Sequence, residues 1–368
     1  MAGTTMESAP PLEKTAFAAM DGWRDDAHAA ALQAFIRSCD EIRSEGKAFE
    51  RPVKFGGSRA DWLGLCEAAP RASDARAFFE ENFTPLVVSD PRRPEGLFTG
   101  YYEPEAPGSR SPSPEYKVPI YRKPSDLVAF DDAAGIRYGR RVDGKPSPFP
   151  ARGDIESGAL AGRGLEIVWL KEWADAFFIH IQGSGRIRLP DGSLVRLAYA
   201  AKNGQPYTGI GGLLVERGVF TREQMSMQAT RAWMAQHPGA ARELMWENKS
   251  FIFFREVEIS DPALGPPGAQ KVALTPLRSL AVDRSLWMFG TPVWLETTTP
   301  SGSKGELQPF KHLMIAQDTG TAIRGHVRGD VFWGAGEHAA MTAGHMKSPG
   351  RMTVLLPKSL AQSLLEKQ

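Results

Sequence analysis

The sequence is poor in the features that mark metalloproteins, redox proteins and membrane-spanning proteins. Only two cysteines, Cys39 and Cys66, occur among its 368 residues, and they form neither a Cys-x-x-Cys pair nor a zinc-ligand spacing. They suit either one disulfide in an oxidising compartment or two buried thiols in N-terminal helices. No apolar run approaches the roughly 18 residues that a membrane-spanning helix needs. We therefore expect no metal site, no cofactor and no transmembrane helix.

Neither sign of charge is in excess. The 44 lysine and arginine residues almost cancel the 43 aspartate and glutamate residues, so no overall field would attract a polyanion. We expect no nucleic-acid partner and a substrate that is neutral or of mixed charge. Residues 1–5 also lack the basic and then apolar pattern of a signal peptide, and they hold no lipid-attachment cysteine.

The motifs of several common enzyme classes are missing as well. Gly320 and Gly325 have the spacing of a phosphate-binding loop, but His326 follows where that loop requires lysine. Glu337, His338 and His345 do not have the His-Glu-x-x-His spacing of a zinc protease. No Gly-x-Ser-x-Gly elbow is present, which argues against a serine hydrolase.

What the chain does have is a composition typical of a packed, mainly β protein. Its apolar content is 42%, and its 37 glycines and 28 prolines favour many turns between short strands. The first ~80 residues have helical periodicity, whereas short β-rich runs begin at Leu97. A hairpin is predicted from 186–189 and 194–197, and Thr221 with Gln224 predicts the capped start of a helix.

Three aspartates in the last quarter are the leading candidates for acid/base chemistry. Asp283, Asp318 and Asp330 each lie where an apolar run gives way to turn residues. The apolar residues 331–333 follow the third directly, and apolar walls favour the neutral form of a carboxyl, which can then act as a general acid. The alternative is ordinary turn chemistry, because Asp beside Gly often bonds its own backbone.

Longer motifs make the acidic pattern specific. The segment from Leu277 to Leu356 resembles the three-aspartate domain of membrane-bound lytic murein transglycosylase A and related cell-wall enzymes. Five further motifs resemble the insert domain of the same family, at residues 98–104, 118–122, 181–185, 198–204 and 225–229. One departure is Thr321, where the family pattern has a second glycine; a side chain there would narrow the edge of the site.

This resemblance implies a fold and a set of boundaries. The fold is mainly β with N-terminal helices: a double-psi β-barrel domain into which a second, smaller β domain is inserted, with a substrate groove between them. The barrel domain would comprise residues 1–100 and 251–368, with the three-aspartate segment at about 277–356, and residues 101–250 would form the insert. Periodicity by itself supports only a β-rich chain of two domains.

The resemblance also implies an activity. A lytic transglycosylase cleaves the β-1,4 bond between N-acetylmuramic acid and N-acetylglucosamine and leaves a 1,6-anhydromuramoyl product. Asp330 would act as acid and then base, Asp318 would position it or stabilise the cationic transition state, and Asp283 would support both. Glycan contacts are expected from side chains of the family-like motifs, namely Thr99, Tyr101, Tyr102, Gln182, Ser184, Tyr199, Lys202 and Asn203.

Two alternatives stay open at this point, a glycan-binding protein without catalysis and a glycoside hydrolase that uses two carboxylates. The expected partners are peptidoglycan glycan strands, and the protein is expected to act as a monomer in the periplasm. Association with the outer membrane would require a lipid anchor that this chain does not show.

Overall fold

Seventeen strands and ten α-helices are present in the part of the chain that the structure describes. The computed structural model describes residues 12–44, 51–90, 95–130, 138–301 and 306–367, so residues 1–5, where a leader was sought, lie outside it. In chain order its strands are β1 (Leu12–Lys14), β2 (Phe83–Val88), β3 (Gly96–Glu103), β4 (Glu105–Ser109), β5 (Val118–Tyr121), β6 (Val128–Ala129), β7 (Tyr138–Val142), β8 (Lys145–Ser147), β9 (Glu166–Leu170), β10 (Ser184–Arg188), β11 (Leu194–Lys202), β12 (Ile252–Val257), β13 (Ser279–Val282), β14 (Pro292–Ser301), β15 (Glu306–Asp318), β16 (Arg328–Ala335) and β17 (Lys347–Pro357).

The helices are concentrated before the first long strands and within the insert region. They are α1 (His28–Arg43), α2 (Arg59–Ala68), α3 (Ala75–Asn82), α4 (Arg152–Asp154), α5 (Trp173–Gln182), α6 (Ile210–Glu216), α7 (Met227–Gln236), α8 (Pro238–Glu247), α9 (Glu337–His345) and α10 (Lys358–Leu365). The predicted mainly β fold with N-terminal helices is confirmed, because α1 to α3 precede the long strands.

Two compact units make up the described chain. One comprises Met1–Tyr101, Ala263–Gly334 and His345–Gln368, and the other comprises Tyr102–Pro262 and Ala335–Gly344. We refer to them as the barrel unit and the insert unit.

The barrel unit is built on six strands that close on themselves. They follow the order β17, β14, β15, β13, β16 and β3, and β3 pairs again with β17. β2 pairs with β17 and β1 with β2, so both extend the sheet beyond the closed ring. Closure removes the free sheet edges within that ring, and the long antiparallel ladder between β14 and β15 forms one wall of it.

The core of the barrel unit is aromatic. Phe35 of α1, Trp62 of α2 and Phe79 of α3 are fully buried with Trp294 of β14, which places the N-terminal helices against the strands. Cys39 and Cys66 are joined by a disulfide, so the first of the two states left open for these cysteines is the one present. The bond ties α1 to α2.

One short strand sets the register of the acidic positions. β13 runs parallel to β15 on one side and antiparallel to β16 on the other. Ala281 of β13 pairs with Asp318 across the first ladder and with Asp330 across the second. Directly paired residues point to the same face of a sheet, so both carboxyls lie on the face of Ala281, with Cα atoms roughly 10 Å apart by strand spacing.

The insert unit has its own sheet and its own cores. Its six-stranded sheet follows the order β12, β11, β10, β4, β9 and β5, and a separate three-stranded sheet follows the order β6, β7 and β8. The predicted hairpin is confirmed as the antiparallel pair β10 and β11, with Ser184 opposite Ala198. Glu103 is fully buried here and pairs with Arg186 and Arg196.

One local prediction was wrong in an instructive way. Thr221 and Gln224 make the reciprocal hydrogen bonds of a capping box, at 3.0 and 3.3 Å, but no helix begins there. The segment is a turn, and the helix α7 begins later, after Ser226, whose hydroxyl accepts from the amide of Ala229. A capping box fixes a turn of backbone, but the following residues decide whether that turn continues as a helix.

Candidate active site

Asp330 is the half-buried carboxyl at the centre of the site. It lies in β16, and the hydroxyl of Thr99 in the neighbouring strand β3 donates to its Oδ1 at 2.6 Å. Burial raises the pKa of Asp330 above its ordinary value, while Arg328 and the Thr99 hydroxyl act in the opposite direction without cancelling it. The carboxyl therefore tends to keep its proton to a higher pH than an exposed aspartate.

Asp318, at the end of β15, is the more heavily bonded of the two carboxyls. Its Oδ1 accepts from the amides of Ala269 at 2.9 Å and Thr319 at 2.8 Å, and its Oδ2 accepts from the hydroxyl of Tyr101 at 3.0 Å. Burial raises the pKa of Asp318 above its ordinary value, the three donors oppose this rise without cancelling it, and the nearby charge of Asp330 adds to it. Both central carboxyls thus have raised pKa values, and Asp318 is the one that accepts more hydrogen bonds.

Tyr101 connects the two aspartates electrostatically. Its ring centroid lies 5.2 Å from that of Phe332, and burial raises the pKa of its phenol well above the ordinary value, with further contributions from Asp318 and Asp330. The phenol therefore stays protonated and acts as a hydrogen-bond donor. Its ring gives the site an apolar surface, and its hydroxyl is the polar group at the edge of that surface.

Asp283 occupies a different kind of environment. It is buried beyond the end of β13, where its Oδ1 accepts from the amide and hydroxyl of Ser285 and its Oδ2 accepts from the amide of Gly325. Although burial opposes the charge, these donors and Arg324 leave the pKa of Asp283 lowered. Its bonds hold two turns together.

The three apolar residues after Asp330 divide between two faces. Side chains alternate along a strand, so Phe332 shares the face of Asp330 whereas Val331 and Trp333 point the other way. Val331 is fully buried, and Trp333 packs against Phe310 in the barrel core, with ring centroids 5.6 Å apart. Of the apolar wall expected around the acid, only Phe332 lies on the side where it could serve as such.

The candidate glycan-binding residues do not all lie together. Thr99 and Tyr101 belong to the barrel unit and contact the two aspartates, whereas the other six belong to the insert unit. Of those six, Tyr199 is 45% exposed and Lys202 is partly exposed. Gln182 is partly buried and accepts from the amide of Tyr102 at 3.1 Å.

Three of the candidates are buried in the insert unit. Tyr102 and Ser184 are only 5% and 6% exposed, and Asn203 is fully buried. The amide group of Asn203 donates to the carbonyls of Pro150 and Lys249 and accepts from the amide of Phe251. These bonds occupy the amide with the backbone, so Asn203 has the environment of a framework residue.

Two residues at the site had no sequence signal. Arg328 lies two positions before Asp330 in β16, and its Nη2 donates to Thr99 Oγ1 at 2.8 Å. Ala269 belongs to the loop before β13 and contributes only a backbone amide, which no side-chain pattern could indicate. Thr321, which replaces a glycine of the family pattern, is exposed and does not have a positive φ. The backbone therefore does not require glycine at this position.

Within the described ranges, no group of three or more His, Cys, Asp or Glu side chains is arranged to hold a metal ion. Nor does any described helix have the length and hydrophobicity to cross a membrane.

Comparison with known proteins accounts for both parts of the chain. The model of the MltA specific insert domain matches residues 97–255, and that of the 3D domain matches residues 278–356. A crystal structure of a membrane-bound lytic murein transglycosylase from Agrobacterium tumefaciens is 36% identical with a TM-score of 0.86, over 96% of this chain and 99% of that one.

The chain belongs to the membrane-bound lytic murein transglycosylase A family.

The family membership predicted from the motifs is thereby confirmed. The family protein of Vibrio cholerae is 34% identical over 263 residues, which is 70% of this chain and 64% of that protein. This chain thus matches slightly less than two thirds of that relative's length. The Escherichia coli family structure with bound chitohexaose is 27% identical with a TM-score of 0.68, over 96% of this chain and 98% of that one.

Proposed function

We propose that this protein is a peptidoglycan lytic transglycosylase with Asp330 as its acid and then its base. The observation that carries the proposal is the asymmetry between the two central carboxyls. Three donors bond to Asp318 and favour its charged form, whereas one hydroxyl bonds to the half-buried Asp330. We infer that Asp330, whose oxygens accept fewer hydrogen bonds from the protein, is the carboxyl that gives a proton to the substrate, as a general acid does.

The reaction needs no external nucleophile. Asp330 donates its proton to the glycosidic oxygen between N-acetylmuramic acid and N-acetylglucosamine as the bond from that oxygen to C1 of the muramic acid breaks. The 6-hydroxyl of the same muramic acid then bonds to C1 and closes the 1,6-anhydro ring. Its proton passes to the Asp330 carboxylate, so the acid is regenerated and no water is consumed.

Asp318 supplies negative charge while positive charge develops on the sugar ring. Its three donors hold the carboxylate in one orientation, so no reorganisation is needed as the reaction proceeds. Asp283 supports the turns beyond β13 and takes no part in the chemistry.

Substrate binding is proposed on the same basis. The chitohexaose bound to the Escherichia coli relative is an oligomer of N-acetylglucosamine, and glycan strands of peptidoglycan are the substrate we propose here. Tyr101 at the aspartates and Tyr199 and Lys202 on the insert unit offer aromatic and donor groups of the kind that sugars need. The remaining candidates would support these surfaces without contacting the glycan themselves, namely Thr99, Tyr102, Gln182, Ser184 and Asn203.

A two-carboxylate hydrolase is the second candidate, because a second carboxyl does lie beside the first. Such an enzyme needs Asp318 to activate water or to attack C1. Its oxygens already accept three hydrogen bonds from the protein, which occupy the positions that a water or C1 of the sugar would have to approach.

Mass spectrometry of digested peptidoglycan tests the proposal against both alternatives. A lytic transglycosylase yields 1,6-anhydromuramoyl ends, a hydrolase yields reducing ends, and a binding protein yields no products. Asp330→Asn keeps the shape of the side chain and should abolish cleavage while glycan binding persists. Reducing ends, or turnover by Asp330→Asn at the wild-type rate, would refute the proposal.

The remaining family features belong to the same proposal. Double-psi connectivity of the barrel, domains at 1–100 with 251–368 and at 101–250, and a substrate groove follow from the resemblance. So do action in the periplasm as a monomer and attachment to the outer membrane through a lipid anchor.

A further inference from the structure

A chain of two hydrogen bonds leads from Arg328 to the acid. The guanidinium donates through Nη2 to Thr99 Oγ1 at 2.8 Å, and the Thr99 hydroxyl donates to Asp330 Oδ1 at 2.6 Å. Nη1 of Arg328 donates to the carbonyls of Leu97 at 3.3 Å and of Gly329. The guanidinium is therefore fixed to the backbone of β3 and β16, and its position does not depend on Asp330.

The donor and acceptor roles in these two hydrogen bonds are fixed by the chemistry of Arg328. A guanidinium has donors and no acceptor, so Thr99 Oγ1 must accept from Arg328. The Thr99 hydroxyl has one proton, and it donates that proton to Asp330 Oδ1. An oxygen that accepts a short hydrogen bond from a hydroxyl is the worse place for the acid's own proton.

We propose that Arg328 is a positioning residue, which orients the Thr99 hydroxyl so that Asp330 carries its acid proton on Oδ2 and releases it from that oxygen. No side chain or backbone group among the described residues donates to this Oδ2, so it is the oxygen available to a substrate. The inference rests on the proposed role of Asp330 as the acid. It specifies which oxygen of Asp330 releases the proton, and it gives a function to Arg328, which no sequence motif indicated.

The charges around Asp330 are few. Arg328 lies on its own strand β16, Asp318 faces it from β15, and Tyr101 faces it from β3. Lys347 of β17 pairs with Thr99 in register but is exposed to solvent. Arg328 and the Thr99 hydroxyl both favour the ionised form of Asp330, so loss of either should raise the pKa of Asp330.

A carboxyl titration followed by ¹³C NMR tests this in the full chain labelled at aspartate. The Asp330 resonance is assigned by its loss in Asp330→Asn. Arg328→Met and Thr99→Val should each raise the apparent pKa by about one unit, and Thr99→Ser, which keeps the hydroxyl, should leave it near the wild-type value. Arg328→Lys keeps a charged donor and should give a smaller rise than Arg328→Met.

The double variant decides whether Arg328 acts through Thr99. In the Thr99→Val background, Arg328→Met should produce less than half of the shift that it produces alone. An equal shift in both backgrounds, or no shift in either, would overturn the proposal. Arg351→Met, an exposed arginine on β17, is the matched control and should leave the titration unchanged.

Activity supplies a separate readout. The alkaline limb of the pH dependence of kcat for anhydro-product release should move upward in the same order as the NMR values, since the acid must be protonated. If no variant and no wild-type sample released anhydro products, the proposed function would fail while the NMR shifts still reported on Arg328. If products appeared and the NMR values stayed constant, only the role of Arg328 would fail.

Discussion

The hydroxyl of Tyr101 donates to Oδ2 of Asp318 at 3.0 Å across 217 positions of sequence. Both residues lie in the barrel unit, on strands β3 and β15, which are not neighbours in the sheet order. The bond completes the set of three donors on Asp318. It therefore contributes to the difference in hydrogen bonding between Asp318 and Asp330 from which we proposed the acid role of Asp330.

Tyr101→Phe should lower kcat by roughly 10- to 100-fold, because a hydrogen bond to a buried charged group is worth about 1.5–3 kcal/mol. Loss of the donor should also raise the pKa of Asp318 further, because the phenol hydrogen bond favours its ionised form. Steady-state rates of anhydro-product release measure the effect. Tyr116→Phe in the insert unit is a matched control, and equal losses in both variants would contradict the prediction.

Asp330→Asn should make the folded protein more stable at neutral pH. Burial raises the folded pKa of Asp330 above its unfolded value, so the folded state binds the proton more tightly and stability falls as pH rises through that window. Asparagine removes this cost and should raise the melting temperature by roughly 1–3 °C at pH 7. The gain should disappear below about pH 3.8, where the wild-type carboxyl is protonated in both states. A gain that persisted there would contradict the electrostatic explanation.

Asp26→Ala should destabilise the barrel unit by about 3–5 kcal/mol, because it leaves a buried arginine without its partner. Arg278 donates to both oxygens of Asp26 at 2.7 and 2.9 Å, and the side chains are 7% and 1% exposed. Burial opposes the charge on Asp26, yet bonds from His312, Arg278 and Leu313 hold its pKa well below the ordinary value.

The pH dependence of that contribution has the opposite sign to the one at Asp330. A lowered folded pKa gives stability that is present above the unfolded value near 3.8 and is lost as pH falls further. Urea denaturation at pH 7 and at pH 3 measures the free energy of unfolding of wild type and of Asp26→Ala. The difference between the two proteins should be smaller at pH 3. A difference that is the same at both pH values would show that Asp26→Ala destabilises the protein through lost packing.

Reduction of the Cys39–Cys66 disulfide should cost about 3.5 kcal/mol of stability, since the bond closes a loop with a sequence separation of 27 residues. Denaturation of the wild type with and without a reductant measures this cost. The double variant Cys39→Ser/Cys66→Ser should be insensitive to the reductant. A wild type equally stable in both conditions would show that helix packing alone holds α1 to α2.

Sequence reasoning was strongest where long motifs occur in a fixed order. The family, the mainly β fold, the N-terminal helices and the β10–β11 hairpin all follow from local patterns and are present. The proximity of Asp318 and Asp330 required more, because it depends on a strand that pairs with both of theirs. The resemblance supplied that information indirectly, through the order of the three aspartates.

Other features depend on contacts that no local pattern encodes. Arg328 and Thr99 are 229 positions apart, and their hydrogen bond exists only because β3 and β16 are neighbours in the closed sheet. The state of Cys39 and Cys66 stayed open because spacing does not fix how two helices approach. Thr221 and Gln224 formed their predicted bonds, yet the backbone after them did not continue as a helix.

Ala281, 4% exposed in the four-residue strand β13, stands between the two carboxyls that we assign to the chemistry. Its small methyl group leaves room on that face, so a valine or leucine at this position would crowd both acids at the same time. The distance between the acid and its charged neighbour is thus a property of sheet geometry and not of the surrounding loops. The loops around this point could therefore differ in length and sequence without altering the spacing of the two carboxyls.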